Sequence, residues 1–201
     1  KILWEYDIDI NNLKCPKSKT SPLEHNCSGK HAAFLATCKK MNWPLDSYLK
    51  GDHPLQIEIF RIISELLEIP ISEINAERDD CGAPTLYLKL LEMSRLYSLL
   101  SSSENAELEQ ISRAMTINPI MISDNNKFDT EIIKASHGQV IGKGGAEGIQ
   151  CLCKVNEGIG LALKVEDGSK RAKHAVSLHL LKQLEWISDL RIQDIEEKVF
   201  N

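Results

Sequence analysis

Residues 139–165 restrict the possible folds more than any other part of this sequence. Segments 139–141, 148–155 and 159–165 read as strands, and Asn156-Glu157-Gly158 joins the last two as a hairpin turn. Helical periodicity flanks them on both sides. Upstream it covers 31–41, 54–68, 86–100, a helix ending near Ile117 whose cap falls in Ser101-Ser102-Ser103, and 128–135. Asp52-His53-Pro54 reads as a helix start with proline in the first turn, and Pro70 stops that helix. Downstream come a helix over 169–187 and a weaker one from Arg191. Helices, then a hairpin, then a closing helix lack the regular alternation of a doubly wound parallel sheet. The expected class is α/β in the broad sense and α+β in the narrow one, with an antiparallel sheet flanked by helices.

A chain of 201 residues is long enough to close a real core, and 42% hydrophobic with 26% charged residues is the balance of a folded protein. The net charge of -5 and the scatter of lysines and arginines leave no electrostatic footprint for nucleic acid. No apolar run approaches the roughly 20 residues a membrane helix needs, and residues 1–10 lack the apolar core of a secretion signal. The six cysteines, Cys15, Cys27, Cys38, Cys81, Cys151 and Cys153, are therefore expected as reduced thiols in the cytoplasm. The first residue is Lys1 rather than Met, and the polar stretch 17–21 carries no element signal, so part of an amino-terminal region is expected to be missing.

Three segments set reactive side chains beside glycine: Asn26-Cys27-Ser28-Gly29-Lys30-His31, then Asp79-Asp80-Cys81-Gly82, then Gly142-Lys143-Gly144-Gly145-Ala146-Glu147-Gly148. Cys27 and Cys81 are soft donors and Asp79 a hard one, a mixture suited to a zinc-like ion if the first two segments meet. Their separation in sequence offers no Cys-x-x-Cys signature, and buried thiols acting as small hydrophobes are the alternative. Lys143 follows a strand and precedes two glycines, which would project its ammonium into a cleft; the alternative is a solvated lysine on a turn. The arrangement resembles the Lys-Thr-Gly strand of serine beta-lactamases, with Gly144 in place of threonine. No Ser-x-x-Lys nucleophile pair stands at a helix start: Ser28-Gly29-Lys30 has the wrong spacing, and 17–20 reads as a polar loop. The end of a phosphate-binding loop is also imitated at residues 26–30, without the first glycine or the preceding strand.

Taken in order, His25-Asn26-Cys27-Ser28-Gly29-Lys30-His31, Asp79-Asp80-Cys81-Gly82-Ala83-Pro84-Thr85 and Lys143-Gly144-Gly145-Ala146-Glu147-Gly148 resemble the Asparaginase II family, the Rhizobium-type, zinc-containing L-asparaginases. Gly51-Asp52-His53-Pro54, Lys127-Phe128-Asp129-Thr130 and Glu166-Asp167-Gly168-Ser169 extend the similarity over residues 22–184. The resemblance implies a single asparaginase-like domain over 1–201, of the serine beta-lactamase and glutaminase group and lacking part of its amino-terminal region. It implies hydrolysis of L-asparagine to L-aspartate and ammonia through a serine acyl-enzyme, by a cytoplasmic homodimer. It further implies Cys27, Lys30, Asp79 and Cys81 as zinc ligands and Lys143 as the catalytic strand lysine. His31, Lys30 and Asp79 are then candidate substrate contacts. A lysine ligand must first lose its proton, so zinc affinity is expected to fall in acid. Asp80 departs from the family's glycine and either adds a carboxylate to the site or points outward. Two other functions remain open: a non-catalytic zinc-binding domain on the same scaffold, and a related amidohydrolase acting on glutamine or a beta-lactam.

Overall fold

A computed structural model describes residues 1–16 and 21–200; the polar loop expected over 17–20 lies outside the described residues. The chain divides into two compact units, Lys1–Tyr87 and Leu88–Asn201.

The first unit contains α1 (Ile2–Glu5), α2 (Ser28–Met41), α3 (Pro54–Leu67), β1 (Ala76–Arg78) and β2 (Pro84–Leu86). Helix α2 buries His31, Ala32, Leu35, Ala36 and Cys38, a run at helical spacing that joins Leu13, Cys15, Tyr48 and Leu55 in one apolar cluster. It ends where Asn42 turns left-handed and its N–H meets the carbonyls of Cys38 and Lys39. Helix α3 begins as the sequence indicates, with Pro54 in the first turn, and His53 is the cap: its Nδ1 accepts the Leu55 N–H at 3.1 Å. That acceptance fixes the tautomer, so Nε2 donates to the Pro44 carbonyl at 3.0 Å.

Residues 79–85, which directly precede the helix expected over 86–100, form the turn and return arm of a hairpin. Strands β1 and β2 pair antiparallel, Ala76 with Leu86 and Arg78 with Pro84. The next helix therefore starts at Leu90 rather than Leu86, where the Glu92 carboxylate accepts the Lys89 N–H at 2.7 Å.

The second unit holds α4 (Leu90–Ser101), α5 (Ala106–Ile117), α6 (Ile120–Ser123), α7 (Phe128–Ala135), β3 (Val140–Gly144), β4 (Ile149–Lys154), β5 (Ile159–Lys164), α8 (Lys170–Gln183) and α9 (Asp189–Phe200). The strands form an antiparallel meander in the order β3-β4-β5. Strand β4 is buried on both faces from Gln150 to Cys153, which is why Cys151, Leu152 and Cys153 run apolar without alternation. Val140 and Leu152 face a cluster with Phe128 and Ile132 of α7, Leu178 and Leu181 of α8, Trp186 of the α8–α9 connection and Ile195 of α9. The opposite face, with Ile141, Lys143, Cys151 and Cys153, lies towards α4, which packs on β4 and β5. An antiparallel sheet between helices is thus the architecture of this unit, and the described residues as a whole are α+β. Two local expectations need correction. Ser101, Ser102 and Ser103 close α4 rather than cap α5; Asn105 caps it, its Oδ1 accepting the Leu108 N–H at 2.9 Å. Strand β3 also runs past Ile141 to Gly144, because its glycines pair with Leu152 and Gln150 on β4, so Lys143 lies within the strand and not just after it.

The closest approach in this unit is at Gly160 on β5, where a methyl group would collide with the Ser94 carbonyl and the Ser98 amide of α4. Both are backbone atoms and neither can swing away. Gly160→Ala is expected to lower stability in urea by about 1–3 kcal/mol, against within about 0.5 kcal/mol for Gly51→Ala, whose added methyl meets nothing within 4 Å.

His174 on α8 stacks on Phe128, with ring centroids 4.0 Å and planes 10° apart. Burial, reinforced by the charge of Lys173, pulls its imidazole from 6.5 down to about 4. The unfolded chain therefore takes up this proton at a higher pH than the folded one does. Stability from the neutral ring is complete above pH 6.5 and is lost as the pH falls towards 4. Melting temperature should fall across that window, and His174→Phe should flatten part of the fall; a variant with the wild-type pH dependence would contradict this.

Candidate functional site

Asp79 closes the turn between β1 and β2. Its Oδ1 accepts the N–H groups of Cys81 and Ala83, both at 3.0 Å, and the Cys81 thiol at 2.9 Å. The Asp79 N–H in turn reaches the Ala83 carbonyl at 3.0 Å, so side-chain and main-chain bonds of one residue close the turn 79–83. Its second oxygen, Oδ2, accepts from Lys30 Nζ at 2.8 Å. Lys30 stands in the first turn of α2, with Cys27 at the helix cap three residues earlier and on the same side.

Electrostatics follow from these contacts. Burial alone would raise the Asp79 carboxyl, but hydrogen bonds from Cys81 and Lys30, together with the lysine charge, hold it well below the usual carboxylate range. Burial lowers and Asp79 and Cys81 raise Lys30, with a net rise, so it stays an ammonium. The Cys81 thiol is pushed up, first by burial and then by the hydrogen bond to Asp79.

Three of the four expected zinc ligands, Lys30, Asp79 and Cys81, are therefore in mutual contact. Cys27 is half-buried at the cap, where its N–H donates to His25 Nδ1 at 3.1 Å. Among the described residues, no three or more His, Cys, Asp or Glu side chains gather as a metal cage. The gathered donors are an oxygen, a sulfur and an amine nitrogen, a set whose chemistry fits zinc once Lys30 gives up its proton. Asp80 is exposed.

His31 follows Lys30 but points the other way, into the core, with 0% exposure. Its Nδ1 lies 2.7 Å from the Tyr48 hydroxyl, which already accepts the Lys14 N–H at 2.9 Å. The hydroxyl is thus left to donate to Nδ1, and the ring proton sits on Nε2, which has no partner among the described residues. Burial and then Lys30 lower the His31 imidazole, and burial pushes the Tyr48 hydroxyl up to about 12, so both stay neutral.

In the second unit Lys143 projects, exposed, from the last-but-one position of β3, and its Nζ donates to the Gly144 carbonyl at 2.6 Å. The following turn is held by the Gly145 N–H on the Ile149 carbonyl at 2.9 Å. Tyr48, Asp129, Gln150 and Lys173 were not singled out as functional from sequence. Of these only Asp129 stood inside a recognised motif, and a buried lysine on an amphipathic helix carries no sequence signal.

The sequence profile of the L-asparaginase II family matches residues 1–200. The chain belongs to the L-asparaginase II family. No curated protein matches it individually. As a member of this asparaginase family it falls among the amidohydrolases, with a small molecule as the substrate class. No helix among the described residues is long and apolar enough to cross a membrane.

Asp79→Ala removes both the turn's acceptor and the partner of Lys30, whereas Asp79→Asn keeps an acceptor for the Cys81 and Ala83 amides. The alanine variant is expected to unfold in urea with about 1–2 kcal/mol less stability than the asparagine variant. Equal losses would mean that the turn does not depend on this acceptor.

Proposed function

We propose that this protein is an L-asparaginase, hydrolysing L-asparagine to L-aspartate and ammonia through a serine acyl-enzyme on a scaffold of the serine beta-lactamase and glutaminase group. The observation that carries the reading is the match of the L-asparaginase II profile over residues 1–200. The serine oxygen attacks the side-chain amide carbon, and the carbon–nitrogen bond breaks as the nitrogen takes up a proton and leaves as ammonia. Water then cleaves the resulting ester, restoring the serine and releasing aspartate. Lys143 is the proton carrier in this reading, and its exposed position on a paired strand supports that role.

Zinc would be held by Cys27, Lys30, Asp79 and Cys81, and the contact of the last three with one another is what supports it. When bound, the ion supplies a fixed positive charge for orienting the amino-acid end of the substrate. Before the ion binds, Lys30 and Asp79 themselves offer an ammonium and a carboxylate, the complement of a zwitterion's two charges. His31 supports this pair from the core side, through the helix turn it shares with Lys30. The homodimer and the cytoplasm belong to this reading through the family resemblance alone.

The test is ammonia release from asparagine and from glutamine by the natural full-length protein, with zinc measured on the same sample. Release from asparagine with zinc bound is expected, and Lys143→Ala should reduce turnover by about 100-fold or more. Zinc without release from either amide would replace the asparaginase with a non-catalytic metal-binding domain.

A further inference from the structure

On the face of β3 opposite Lys143 lies a buried polar group that the proposed chemistry does not use. Asp129 of α7, 6% exposed, accepts the Gly144 N–H on Oδ2 and the Gln150 side-chain amide on Oδ1, both at 2.8 Å. Lys173 of α8, also 6% exposed, donates from Nζ to the carbonyls of Ile149 at 3.1 Å and Gly145 at 3.3 Å. These side chains close around Gly144. A methyl group there would stand 2.7 Å from Lys173 Nζ, 3.2 Å from Gln150 Oε1 and 3.4 Å from Asp129 Oδ2. Any larger residue at 144 would push the ammonium off its two carbonyls.

Stability alone does not account for such a group. A buried ammonium and carboxylate forfeit hydration that their mutual attraction seldom restores, and apolar residues of similar size commonly hold a core as well. What the group does achieve is geometric. It holds the Gly144 N–H from one side and the Gly145 carbonyl from the other, and between them lies the Gly144 carbonyl that receives Lys143 Nζ. The peptide planes that aim Lys143 are thereby fixed at both ends. Because successive strand residues face opposite ways, the clamp works from behind without occupying the space in front of Lys143.

We propose that Lys173, together with Asp129 and Gln150, is a positioning group for Lys143. The inference rests on the reading of Lys143 as the catalytic lysine. Lys143→Ala and Lys173→Met are compared in the natural full-length protein, with kcat and KM for asparagine measured alongside circular dichroism. Lys173→Met is expected to stay folded and to lose about tenfold to 100-fold in kcat, as for a misplaced catalytic group, with KM within about twofold of wild type. A wild-type kcat in this folded variant, or a loss carried wholly by KM, overturns the positioning role. Loss in Lys143→Ala beside a wild-type Lys173→Met sinks the positioning role alone, whereas full activity in Lys143→Ala sinks the reading of Lys143 itself. Should Lys173→Met fail to fold, amide hydrogen exchange in the wild-type protein decides: a Gly144 amide as protected as that of Leu152 supports the clamp, and one exchanging like an open loop refutes it.

Discussion

The candidate site of the first unit depends on a single carboxylate. Asp79 accepts two backbone N–H groups, a thiol and an ammonium, and no other side chain type of its size could do so. The turn between β1 and β2 would otherwise leave the Cys81 and Ala83 amides without acceptors, at a buried position where that is costly. The carboxylate's remaining oxygen then ties the turn to the first turn of α2. Motifs separated by 49 residues in sequence, Lys30 and Asp79, become neighbours through one hydrogen bond.

The second unit repeats the device with different parts. Asp129 is a carboxylate more deeply buried than Asp79, with one oxygen on a glycine amide and the other on a side chain, and it too lies beside a lysine. The two lysines differ in a way that burial explains. Lys30 is partly solvated and directly paired, so its ammonium is favoured; Lys173 is buried and donates mainly to neutral carbonyls, so burial outweighs the pull of Asp129 and disfavours its charge. The same residue type is thus set to different tasks by its partners.

Much of this was legible in the sequence where the signal was periodic or punctuated. Helix α7 was read at its true bounds from its amphipathic face, and α3 to within a residue because Pro54 fixes its start as well. The hairpin of β4 and β5 followed from Asn156-Glu157-Gly158, which fall within its four-residue turn, 155–158. The hairpin of β1 and β2 was not legible, since three-residue strands offer no countable alternation and Pro84 reads as a breaker. The end of β3 was missed for a related reason: Gly142 and Gly144 lack side chains to register a pattern, and what keeps them in the strand is their partners on β4 and the carboxylate of Asp129. In the first unit, residue types pointed to Lys30, Asp79 and Cys81, which the structure brings together, but not to the burial of His31 against Tyr48, which depends on the direction each residue takes around α2.

Glycine at 144 shows how a departure from a familiar pattern can carry information. A serine beta-lactamase strand has threonine after its lysine, and a threonine here would set its Cβ within 2.7 Å of Lys173 Nζ. The space is taken by a cation that α8 delivers from behind the sheet. Loss of the side chain at 144 and arrival of an ammonium on that same face are then one structural event rather than two. A chain carrying glycine after the strand lysine should also carry a long basic or polar residue at the position of Lys173. A chain with threonine there should fill that space with something short, because the volume beside Asp129 and Gln150 admits only one of the two.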